Sequence, residues 1–448
     1  MANDILQTSV TTPGDIVIAE AVIVASTGYE IDIRAHIGEL NFFEDMYRTG
    51  LYGNLLIIDS INLGNALNLQ GDEYIRIKAY TPGLKGIIHK TFKVYSITDR
   101  MMLTDTGKQS YVLHFCSTEI FIDALSPIYK TFSGKTDEIA AQIFDSYLAT
   151  SRNGDGQYTN LYVLGQTENN VKFTSPGWRP MKCINWLASR SLEAGYKSPA
   201  YLFYETMQGF YFANVEHLID LSASSKRIYS EYFYRANNLT GDRESLSYVK
   251  DVDFEYKICE EMKVIETFNG LRNSQTGYLA NRTYTFDLTS KEYAVTDYDH
   301  AAEWFNYKHL EDIGGASRPP FLNSNQGALR SPAGYNMVYV QHSDLYTGFK
   351  NNANEIIDQI APRRTSALNE LTNLKLEITV PGKTDIEVGS IIYFHYPNAS
   401  PKDQTDLTKD NDDKLYSGYY LVTAVRHKMT LLKHMMILEV VKDSYKGN

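Results

Sequence analysis

The sequence predicts a β-rich α+β protein, with one strand-rich module at each end of the chain and helical segments between them. Two observations carry this prediction. Short segments in which apolar and polar residues alternate, separated by Gly- and Pro-containing turns, fill the chain up to Asp123 and return from Leu374 onwards. Between these two parts, several segments show the 3.6-residue periodicity of helices.

Length and composition bound the class of protein. The chain has 448 residues, which corresponds to roughly three domains. It contains 34 tyrosines, whose amphipathic rings suit half-buried strands and contact surfaces. The formal net charge is −11. Because affinity for phosphates comes mainly from Lys and Arg, this charge disfavours a protein that grips nucleic acid.

The cysteines and the N-terminus indicate the compartment. Cys116, Cys183 and Cys259 are an odd number without CxxC spacing, which argues against a disulfide framework or a zinc site. We expect buried free thiols in a reducing compartment. The N-terminus lacks the basic start and apolar core of a signal peptide, and no run reaches the roughly 20 apolar residues of a membrane span. Synthesis in a cytoplasm is therefore expected.

The first module is predicted to run from Asp15 to Asp123. Its regular turn signals suggest a small barrel or sandwich. A long connection, Gly38–Gly53, is expected after the second strand. The six predicted strands are Asp15–Val24, Tyr29–Ile37, Leu55–Ser60, Glu73–Tyr80, Thr91–Thr98 and Ser110–Ser117.

The middle of the chain is predicted to mix helices and strands. Thr136–Ala149 has the spacing of an amphipathic helix. A second helix is expected between Pro180, which suits the first helical position, and Gly195, which suits the residue just past the end. A hairpin is then predicted, with its two strands and turn at Ala200–Thr206, Phe210–Val215 and Met207–Gly209.

The second module is predicted to begin near Ser245 with a strand at Tyr248–Tyr256. Gly270–Gly348 is interpreted as an insertion or lobe that carries loops. Ala353–Leu371 is predicted to be a helix that Pro362 kinks or breaks. Clear alternation then predicts four strands, Leu374–Val380, Ile391–Tyr396, Tyr419–His427 and Met435–Val441.

Motifs for phosphate and metal sites fail on spacing or context. Gly134-Lys135-Thr136 and Gly382-Lys383-Thr384 match the end of a P-loop, but neither has the leading Gly, so both are interpreted as turns. His427 and His434 are interpreted as strand-edge histidines rather than a ligand pair. The stretch Ser400–Lys414 lacks the ligand spacing of a calcium loop, and a solvated acidic loop is expected there.

No catalytic constellation is recognisable. Gly315-Ala316-Ser317-Arg318-Pro319 fails the last position of the nucleophile elbow. Carboxylate pairs for glycoside cleavage depend on spatial separation, so the sequence leaves this class open, although no pair stands out among the 54 acidic residues. We therefore assign no catalytic, cofactor-binding or metal-binding residue and expect no cofactor.

Three stretches of the chain resemble contractile-phage baseplate hub proteins, the family of the T-even phage hub. In the first stretch, Phe173–Leu218, the resemblance rests on Pro176, Trp178, Pro180, Ile184, Trp186, Leu187, Ala188, Arg190, Leu202–Glu205 and Gly209–Phe212. In the second it rests on Phe43, Glu44, Asp45, Gly53, Asp59, Leu63 and Gly71–Glu73. In the third it rests on Ile378–Asp385, Val388, Gly389, Gly418–Thr423 and His427. Each motif alone is weak, and their common order along most of the chain is fairly specific. The lobe at Gly270–Tyr346 matches nothing in the family.

The resemblance implies two tail-tube-like β-barrel domains in each chain, linked by α/β domains. Three such chains form a trimeric ring with pseudo-sixfold symmetry, which adapts a threefold central spike to the sixfold tail tube. The same architecture is similar to the N-terminal part of type VI secretion spike proteins. Four divisions are expected. The first tube-like domain is residues 1–123 and the linking domain is residues 124–244. The second tube-like domain is in two pieces, 245–285 and 372–448, and the inserted lobe is 286–371.

The implied function is structural. A hub of this family lies in the virion tail baseplate, is made in the host bacterial cytoplasm, and initiates tube assembly without enzymatic activity. The expected partners are two further copies of the chain, the central spike, and tail-tube or tube-initiator proteins, while tape-measure and baseplate wedge proteins are left open. Phage DNA is expected to pass through the lumen during genome ejection without specific binding. An acidic wall that repels phosphate is our hypothesis for why it does not stick.

Two alternatives from other classes stay open. A tail-associated cell-wall hydrolase is one, although no segment outside the insertion is large enough for a lytic domain. A host-glycan-binding β protein is the other, and its exposed aromatic groove would have to come from Trp304, Phe305 and Tyr307. A buried helix face is the favoured interpretation of that cluster, and Trp178 and Trp186 are likewise expected to be core anchors.

Overall fold

The computed structural model describes residues 12–25, 27–67, 69–84, 86–103, 107–149, 159–224, 230–234, 252–288, 290–320, 331–341, 356–398 and 412–447. Every structural feature given for the chain lies within these ranges.

The first module is built from antiparallel strands in which buried residues alternate with half-buried or exposed ones. Its elements are β1 Val17–Val24, β2 Glu30–Asp32, a 3-10 turn at Arg34–His36, β3 Ile37–Asp45, β4 Tyr52–Asp59, α1 Leu63–Ala66, β5 Tyr74–Tyr80, β6 Ile87–Leu103 and β7 Lys108–Ser117. The predicted strands that correspond to β1, β4, β5, β6 and β7 are confirmed.

Two predictions for this module are wrong. Tyr29–Ile37 is not one strand, because Arg34–His36 turns the chain between β2 and β3. Gly38–Gly53 is not a long connection, because it contains most of β3, a turn and the start of β4. Two residues break the expected alternation along β3. Phe43 lies half-exposed on the outer face, and the carboxyl of Glu44 is buried on the core face.

The middle segment packs helices against short strands. Its elements are α2 Thr118–Leu125, β8 Thr131–Lys135, α3 Thr136–Tyr147, β9 Leu161–Leu164, β10 Asn170–Thr174, α4 Pro180–Ala188, β11 Tyr201–Thr206, β12 Gly209–Asn214 and α5 Val215–Ser224. The predicted helix at α3 and the predicted hairpin, β11 with β12, are confirmed.

The second predicted helix is shorter than expected. α4 ends at Ala188, well before Gly195. The Asn169 side chain captures the backbone beyond the helix, since its amide donates to the Arg190 carbonyl at 2.7 Å and its oxygen accepts from the Leu192 N–H at 2.7 Å. These backbone groups are therefore bonded to a side chain rather than to a further helical turn.

The second half of the chain carries the second module and a lobe. Its elements are β13 Glu231–Tyr234, α6 Val252–Glu255, β14 Ile258–Cys259, β15 Glu261–Glu266, α7 Gly270–Gln275, β16 Ala280–Asp287, β17 Glu292–Asp299, α8 His300–Glu303, β18 Ser317–Arg318, β19 Asn336–Gln341, α9 Ile357–Glu370, β20 Leu374–Pro381, β21 Ile391–His395, β22 Gly418–Met429, β23 His434–Lys442 and β24 Tyr445–Lys446. Short 3-10 turns lie at Trp304–Asn306, Leu310–Gly314 and Pro332–Gly334.

The four predicted C-terminal strands are confirmed as β20, β21, β22 and β23. The predicted helix is confirmed as α9 over Ile357–Glu370, and Pro362 does not break it, while residues 353–355 lie outside the described residues. The predicted strand Tyr248–Tyr256 is wrong where it can be compared, because Val252–Glu255 is helical, while residues 248–251 lie outside the described residues. Most of the predicted acidic loop, residues 399–411, also lies outside them.

One continuous sheet joins the two modules. Its central part, which we call the composite sheet, runs in hydrogen-bonding order β15–β20–β23–β22–β3–β4–β7–β6, and each strand is antiparallel to its neighbours. The first four strands belong to the second module and the last four to the first. The modules therefore meet where β22 pairs with β3. Within the described residues, the strands of neither module return to close a barrel.

The two modules repeat one strand arrangement. The long strands β6 and β22 each change partner along their length. The first part of β6 pairs with β5 and the second part with β7, whereas the first part of β22 pairs with β21 and the second part with β23. The next strands along the sheet are β4 and β3 in the first module, and β20 and β15 in the second. Hence β3, β4, β7 and β6 correspond in order and direction to β15, β20, β23 and β22.

The lobe interrupts this repeat at one turn. In the first module, residues 46–51 connect β3 to β4. In the second, residues 267–373 connect the corresponding strands β15 and β20, and they contain the lobe sheet β17–β16–β19 and helix α9. The predicted boundary between residues 285 and 286 falls inside β16. Strand β13 lies in the segment that was predicted to link the modules, and it pairs with β21 of the second module.

The hairpin β11–β12 bridges the two halves of the fold, because both of its faces are buried. One face, with Phe203 and Phe210, joins a core formed with α3 and α4. The other face, with Tyr204 and Tyr211, joins the core of the second module. Trp178 and Trp186 pack at the margin of the first of these cores, half-buried.

Two further expectations can be compared with the fold. Cys116, Cys183 and Cys259 are free and buried, as predicted. In the described part of the chain, no helix has the length and apolar character needed to cross a membrane.

Candidate functional site

The seam between β22 and β3 carries polar side chains on its outer face. Arg426 donates from Nε to Asn41 Oδ1 at 3.0 Å, and Asn41 donates onward to Asn54 Oδ1 at 2.8 Å. Lys428 lies 3.2 Å from Glu39. Burial works against the charged form, yet the Asn41 hydrogen bond and the Lys428 cation lower the pKa of Glu39. The outer side of the seam is thus a ladder of paired cross-strand groups.

The inner side of the seam is buried. Met429 lies opposite Leu40, and His427 lies opposite Phe42, with all four side chains inside the core. A slip of one residue between β22 and β3 would exchange the buried and outer sets, so this pattern fixes the register between the modules.

A buried ion pair ties the linking hairpin to the first module. Lys90 on β6 bonds with Glu205 on β11, and both are fully buried. Glu205 also accepts from the Leu51 N–H at 2.9 Å and the Ser117 hydroxyl at 2.6 Å. Burial disfavours the ammonium, but the carboxylates of Glu205 and Glu119 outweigh it and raise the pKa of Lys90. Removal of one partner would leave the other charged and uncompensated.

A second buried carboxyl joins three parts of the chain. Glu44 on β3 accepts from the Met207 N–H of the hairpin turn and from the Val388 N–H of the second module, both at 3.0 Å. Burial, with the nearby Glu387 carboxylate adding to it, raises the pKa of Glu44 to about 8. This carboxyl therefore holds a proton at neutral pH while it connects both modules and the hairpin.

A cavity of about 280 Å³ lies beside Glu44, with room for several water molecules. Glu387 and Asp385 add acidic groups to its wall, and the His427 ring faces it with Nε2 4.0 Å from Glu44 Oε1. The remaining wall residues are Gly86, Ile88, Met207, Gln208, Thr384 and Ile386. Within the described residues, no group of three or more His, Cys, Asp or Glu side chains is arranged to hold a metal ion.

A polar cluster anchors the lobe to the second module. Trp304 donates from Nε1 to Glu370 at 2.6 Å, and His309 lies 3.3 Å from the Asp443 carboxylate. Burial acts against the imidazolium, but Glu370 and Asp443 together raise the pKa of His309 to about 9. Glu216 lines a small cavity together with His309, Glu370 and Asp443, and burial raises the pKa of Glu216 to about 8.

The turns of the composite sheet lie at two rims. The residues Met429, Leu40, Leu55, Leu113 and Ile97 form one row across five strands. Beyond this row the hairpins β22–β23 and β6–β7 turn, and we call this end the hairpin rim. The β3–β4 turn and the lobe lie at the opposite end, which we call the lobe rim.

The sequence motifs have their structural explanations. Gly382-Lys383-Thr384 is a turn, as predicted, in which the Gly382 N–H donates to the His434 carbonyl at 2.9 Å. The turn interpretation of Gly134-Lys135-Thr136 is wrong, because Gly134 and Lys135 end β8 and Thr136 begins α3. Trp304 is 1% exposed, so it forms no glycan groove with its exposed neighbour Phe305. His427 and His434 are not at a strand edge. Both are fully buried, and His427 Nδ1 lies 3.1 Å from His434 Nε2. Burial lowers the pKa of His427 to about 4.

Sequence reasoning missed the buried carboxyls and their lysine. A signal was present for Lys90 and Glu44, because each occupies an inward position of a strand; Glu205 gave no such signal, since β11 is buried on both faces. Lys90 continues the inward series of Ile88 and Phe92, and Glu44 continues that of Leu40 and Phe42. A charged residue in such a series predicts a buried ion pair or hydrogen-bonded carboxyl.

Comparison with known proteins gives likenesses of structure alone. No protein-family model and no curated protein matches the sequence. The fold is similar to that of a tail protein from Neisseria meningitidis, with a TM-score of 0.48 and 10% identity over 95% of this chain and 96% of that one.

Two further solved structures are similar. One is the 43 kDa tail protein of prophage MuSo2 from Shewanella oneidensis, with a TM-score of 0.47 and 10% identity over 95% of this chain and 98% of that one. The other is a component of the E. coli type VI secretion system, with a TM-score of 0.40 and 9% identity over 97% of this chain and 79% of that one.

Proposed function

We propose that this chain is the structural hub of a contractile-tail baseplate: a homotrimer that adapts a threefold central spike to a sixfold tail tube, initiates tube assembly and forms part of the ejection channel. The observation that carries the proposal is the repeat within the composite sheet. One chain contributes two corresponding four-strand units side by side, so three chains supply six.

The strand correspondence suggests how the ring closes. Within one chain, the second part of β22 pairs with β3. The strand that corresponds to β22 is β6, and the strand that corresponds to β3 is β15. Within the described residues, two strand edges have no partner: the edge of the second part of β6 that faces away from β7, and the edge of β15 that faces away from β20. Such edges favour pairing with another chain, so β6 of one copy would pair with β15 of the next.

The outer face of the composite sheet is then the channel wall. Its cations near the seam are paired with carboxylates, as in Lys375 with Glu439 at 2.9 Å and Lys428 with Glu39 at 3.2 Å. Paired cations offer little to DNA phosphates, so passage without specific binding follows from neutralisation as well as from the acidic balance of the chain.

Electron microscopy of the purified protein tests this function. We expect threefold rings with a central hole. A β-bulge between Val264 and Glu266 leaves Ile265 of β15 without a partner residue on β20. Ile265→Pro should therefore leave the residue pairs between β15 and β20 in place. It should abolish rings while the monomer stays folded, and Ile265→Ala should keep them. Compact wild-type monomers at all concentrations would overturn the proposal.

We propose a structural rather than catalytic role, and a zymogram on bacterial cell wall tests that part separately. Purified protein should give no clearing at the position of the 448-residue chain. Clear lysis bands there would favour the cell-wall hydrolase instead.

A further inference from the structure

The two modules can be aligned residue by residue, because β6 and β22 carry a β-bulge at the same place. In each strand the bulge comes directly after the part that pairs with β5 or β21, between Val94 and Ser96 in β6 and between Val422 and Ala424 in β22. Bulges are specific features of a strand, so these two fix the alignment. From them, one row of opposite residues crosses each module: Ile97, Leu113, Leu55 and Leu40 in the first, and Val425, Leu438, Ile378 and Met262 in the second.

The alignment gives residues of the seam between β22 and β3 a counterpart at a free strand edge. Beyond its first bulge, β6 contains one extra residue between Thr98 and Met101, and the alignment continues past it through the partner strands β7 and β23. The seam residues and their counterparts are Lys428 with Met101, Met429 with Met102, Leu40 with Met262, Asn41 with Lys263 and Phe42 with Val264.

Corresponding residues differ in burial. The inward residues of the seam are fully buried, namely Leu40, Phe42 and Met429. Their counterparts at the free edges are not, since Met262 and Val264 are half-buried and Met102 is 80% exposed. These three apolar side chains occupy the positions of a buried seam without the strand that would cover them. A second copy of the chain supplies that strand.

We propose that the second part of β6 pairs with β15 of the next chain in the register of the seam, so that Met102 lies opposite Met262 of the next chain. This inference rests on the proposed trimer and gives its chain-to-chain contact a residue register. The new pair repeats Met429 with Leu40, which lie opposite each other within one chain. It lies toward the hairpin rim, and the contact removes apolar surface of both strands from water.

This register gives the ring a uniform stagger. The row that begins at Ile97 crosses the seam to Met429, which is four residues beyond Val425, the counterpart of Ile97. Each four-strand module therefore displaces the strands by four residues. With about 3.3 Å per residue and about 4.8 Å between strands, this stagger corresponds to a strand tilt of roughly 35°, which is typical of closed barrels. The proposed register repeats the same stagger between chains, whereas a slip of two residues would alternate two different staggers around the ring.

Cysteine cross-linking of the full-length protein tests the register. Met101→Cys with Lys263→Cys changes two exposed residues that the register places opposite each other, where antiparallel strands bring Cβ atoms close enough for a disulfide. Mild oxidation of assembled rings should give a covalent trimer on a non-reducing gel, because each chain is joined to the next. The wild type should give none, since Cys116, Cys183 and Cys259 are buried.

Two further cysteine pairs control for geometry. Lys428→Cys with Asn41→Cys is the corresponding pair within one chain, and it should form an internal disulfide without any covalent trimer. Ser96→Cys with Lys263→Cys places the two thiols roughly 13 Å apart along the strands in the proposed register, which is too far for a disulfide. This pair should therefore leave the chains unlinked.

A substitution tests whether Met102 is buried in the contact. Met102→Asp should raise the protein concentration needed for ring assembly at least about tenfold, because a carboxylate would be buried without a partner. The matched control is Leu432→Asp, which changes a residue that is 88% exposed at the β22–β23 turn and lies outside the proposed contact. It should assemble like the wild type.

The outcomes separate the register from the hub function. If rings form but Met101→Cys with Lys263→Cys stays unlinked, or if Ser96→Cys with Lys263→Cys gives the covalent trimer instead, the register is wrong and the hub function stands. Equal assembly of Met102→Asp and Leu432→Asp would also contradict the register. If the wild-type protein forms no rings at any concentration, the hub function fails and the register fails with it.

Discussion

A buried ion pair holds the linking hairpin against the first module. The pair Lys90 and Glu205 is buried beneath β6, and Glu205 holds two further donors in the first module. Such a pair adds little net stability over apolar residues, but breaking it is costly because a charge is left without compensation. The linking hairpin is thereby fixed in one position against the first module.

Replacement of Lys90 tests this at the residue scale. Lys90→Met should lower the free energy of unfolding by about 3–5 kcal/mol, since burial already raises the pKa of Glu205 and loss of the cation leaves this buried carboxyl either charged without compensation or forced to take up a proton. Lys375→Met removes a more exposed partner of Glu439 and should cost at most about 1 kcal/mol. Urea denaturation of both variants measures the difference. Equal losses would show that burial of the Lys90 pair has no special weight.

The pH dependence of stability is also set by single residues. Glu44 and Glu216 have pKa values raised from 4.5 to about 8, and His309 has a pKa raised from 6.5 to about 9. In each case the folded state holds a proton that the unfolded chain gives up. The stability that depends on this proton is therefore complete below the unfolded-state pKa and is lost as pH rises to the folded-state pKa, between 4.5 and about 8 for the carboxyls and between 6.5 and about 9 for the histidine.

We expect the free energy of unfolding, measured by urea denaturation, to fall between pH 4.5 and about 8 for each carboxyl and between pH 6.5 and about 9 for His309, by up to about 1.4 kcal/mol per pH unit for each group. Glu44→Gln should be less stable at pH 6, because an amide cannot accept from both the Met207 and Val388 N–H groups, but its pH dependence should be shallower. Parallel pH profiles for the two proteins would contradict the role of Glu44.

At the scale of elements, the seam depends on close packing of β3, β4 and β7. Gly53 lies in the middle of these three strands, and a Cβ there would approach the Asn41 carbonyl oxygen to 2.6 Å and meet the Phe115 ring. The glycine is required by this close approach of neighbouring strands.

Gly53→Ala should therefore destabilise the chain by about 1–3 kcal/mol through overpacking. Gly64→Ala is the matched control, because its nearest neighbour is the flexible end of Arg100 at 3.5 Å, and no loss of stability is expected there. Thermal unfolding followed by circular dichroism compares them. A Gly53→Ala variant as stable as Gly64→Ala would show that the strands can separate without cost.

The elements that sequence patterns could predict are those whose burial follows their period. Alternation located β20, β21, β22 and β23, and 3.6-residue spacing located α3, because each buries one regular face. β3 was missed because its residue types do not alternate regularly. The acidic Glu44 stands at an inward position where an apolar residue is expected, and the apolar Phe43 stands at an outward position where a polar residue is expected. The strands β16 and β17 of the lobe were missed because their exposed apolar face removes the contrast between the two sides.

Long-range pairing could not be predicted from either pattern. Nothing in the local sequence of β3 or β22 specifies that they pair across about 380 residues, since partner choice in a sheet depends on tertiary packing. The buried contacts of Glu44 and Glu205 could not be predicted for the same reason, because their partners lie in parts of the chain that are far apart in sequence. The resemblance to hub proteins indicated two modules, and the composite sheet adds how they are joined.

At the scale of the whole molecule, the proposed channel wall should not retain DNA. Thr379→Lys with Ile437→Lys adds unpaired cations to the outer face of the composite sheet, where these two residues lie opposite each other. We expect the variant ring to bind duplex DNA with an affinity that falls steeply with salt. The wild type should show no retention at physiological salt.

The control for this prediction places the same cations elsewhere. Val338→Lys with Val340→Lys adds them to the exposed lobe sheet, outside the proposed channel. If both variants bind DNA equally, the position of the added cations is irrelevant and the outer face of the composite sheet is not a channel wall.

The insertion of the lobe at one turn of a repeated unit has a practical consequence. The second module accommodates about a hundred residues where the first has a short turn, so this position tolerates large additions without loss of the sheet. In the first module, Tyr47 and Arg48 at the tip of the corresponding turn are exposed. A foreign domain grafted between them would be displayed at the same rim of the sheet as the native lobe, which makes the turn an attachment point for engineered cargo.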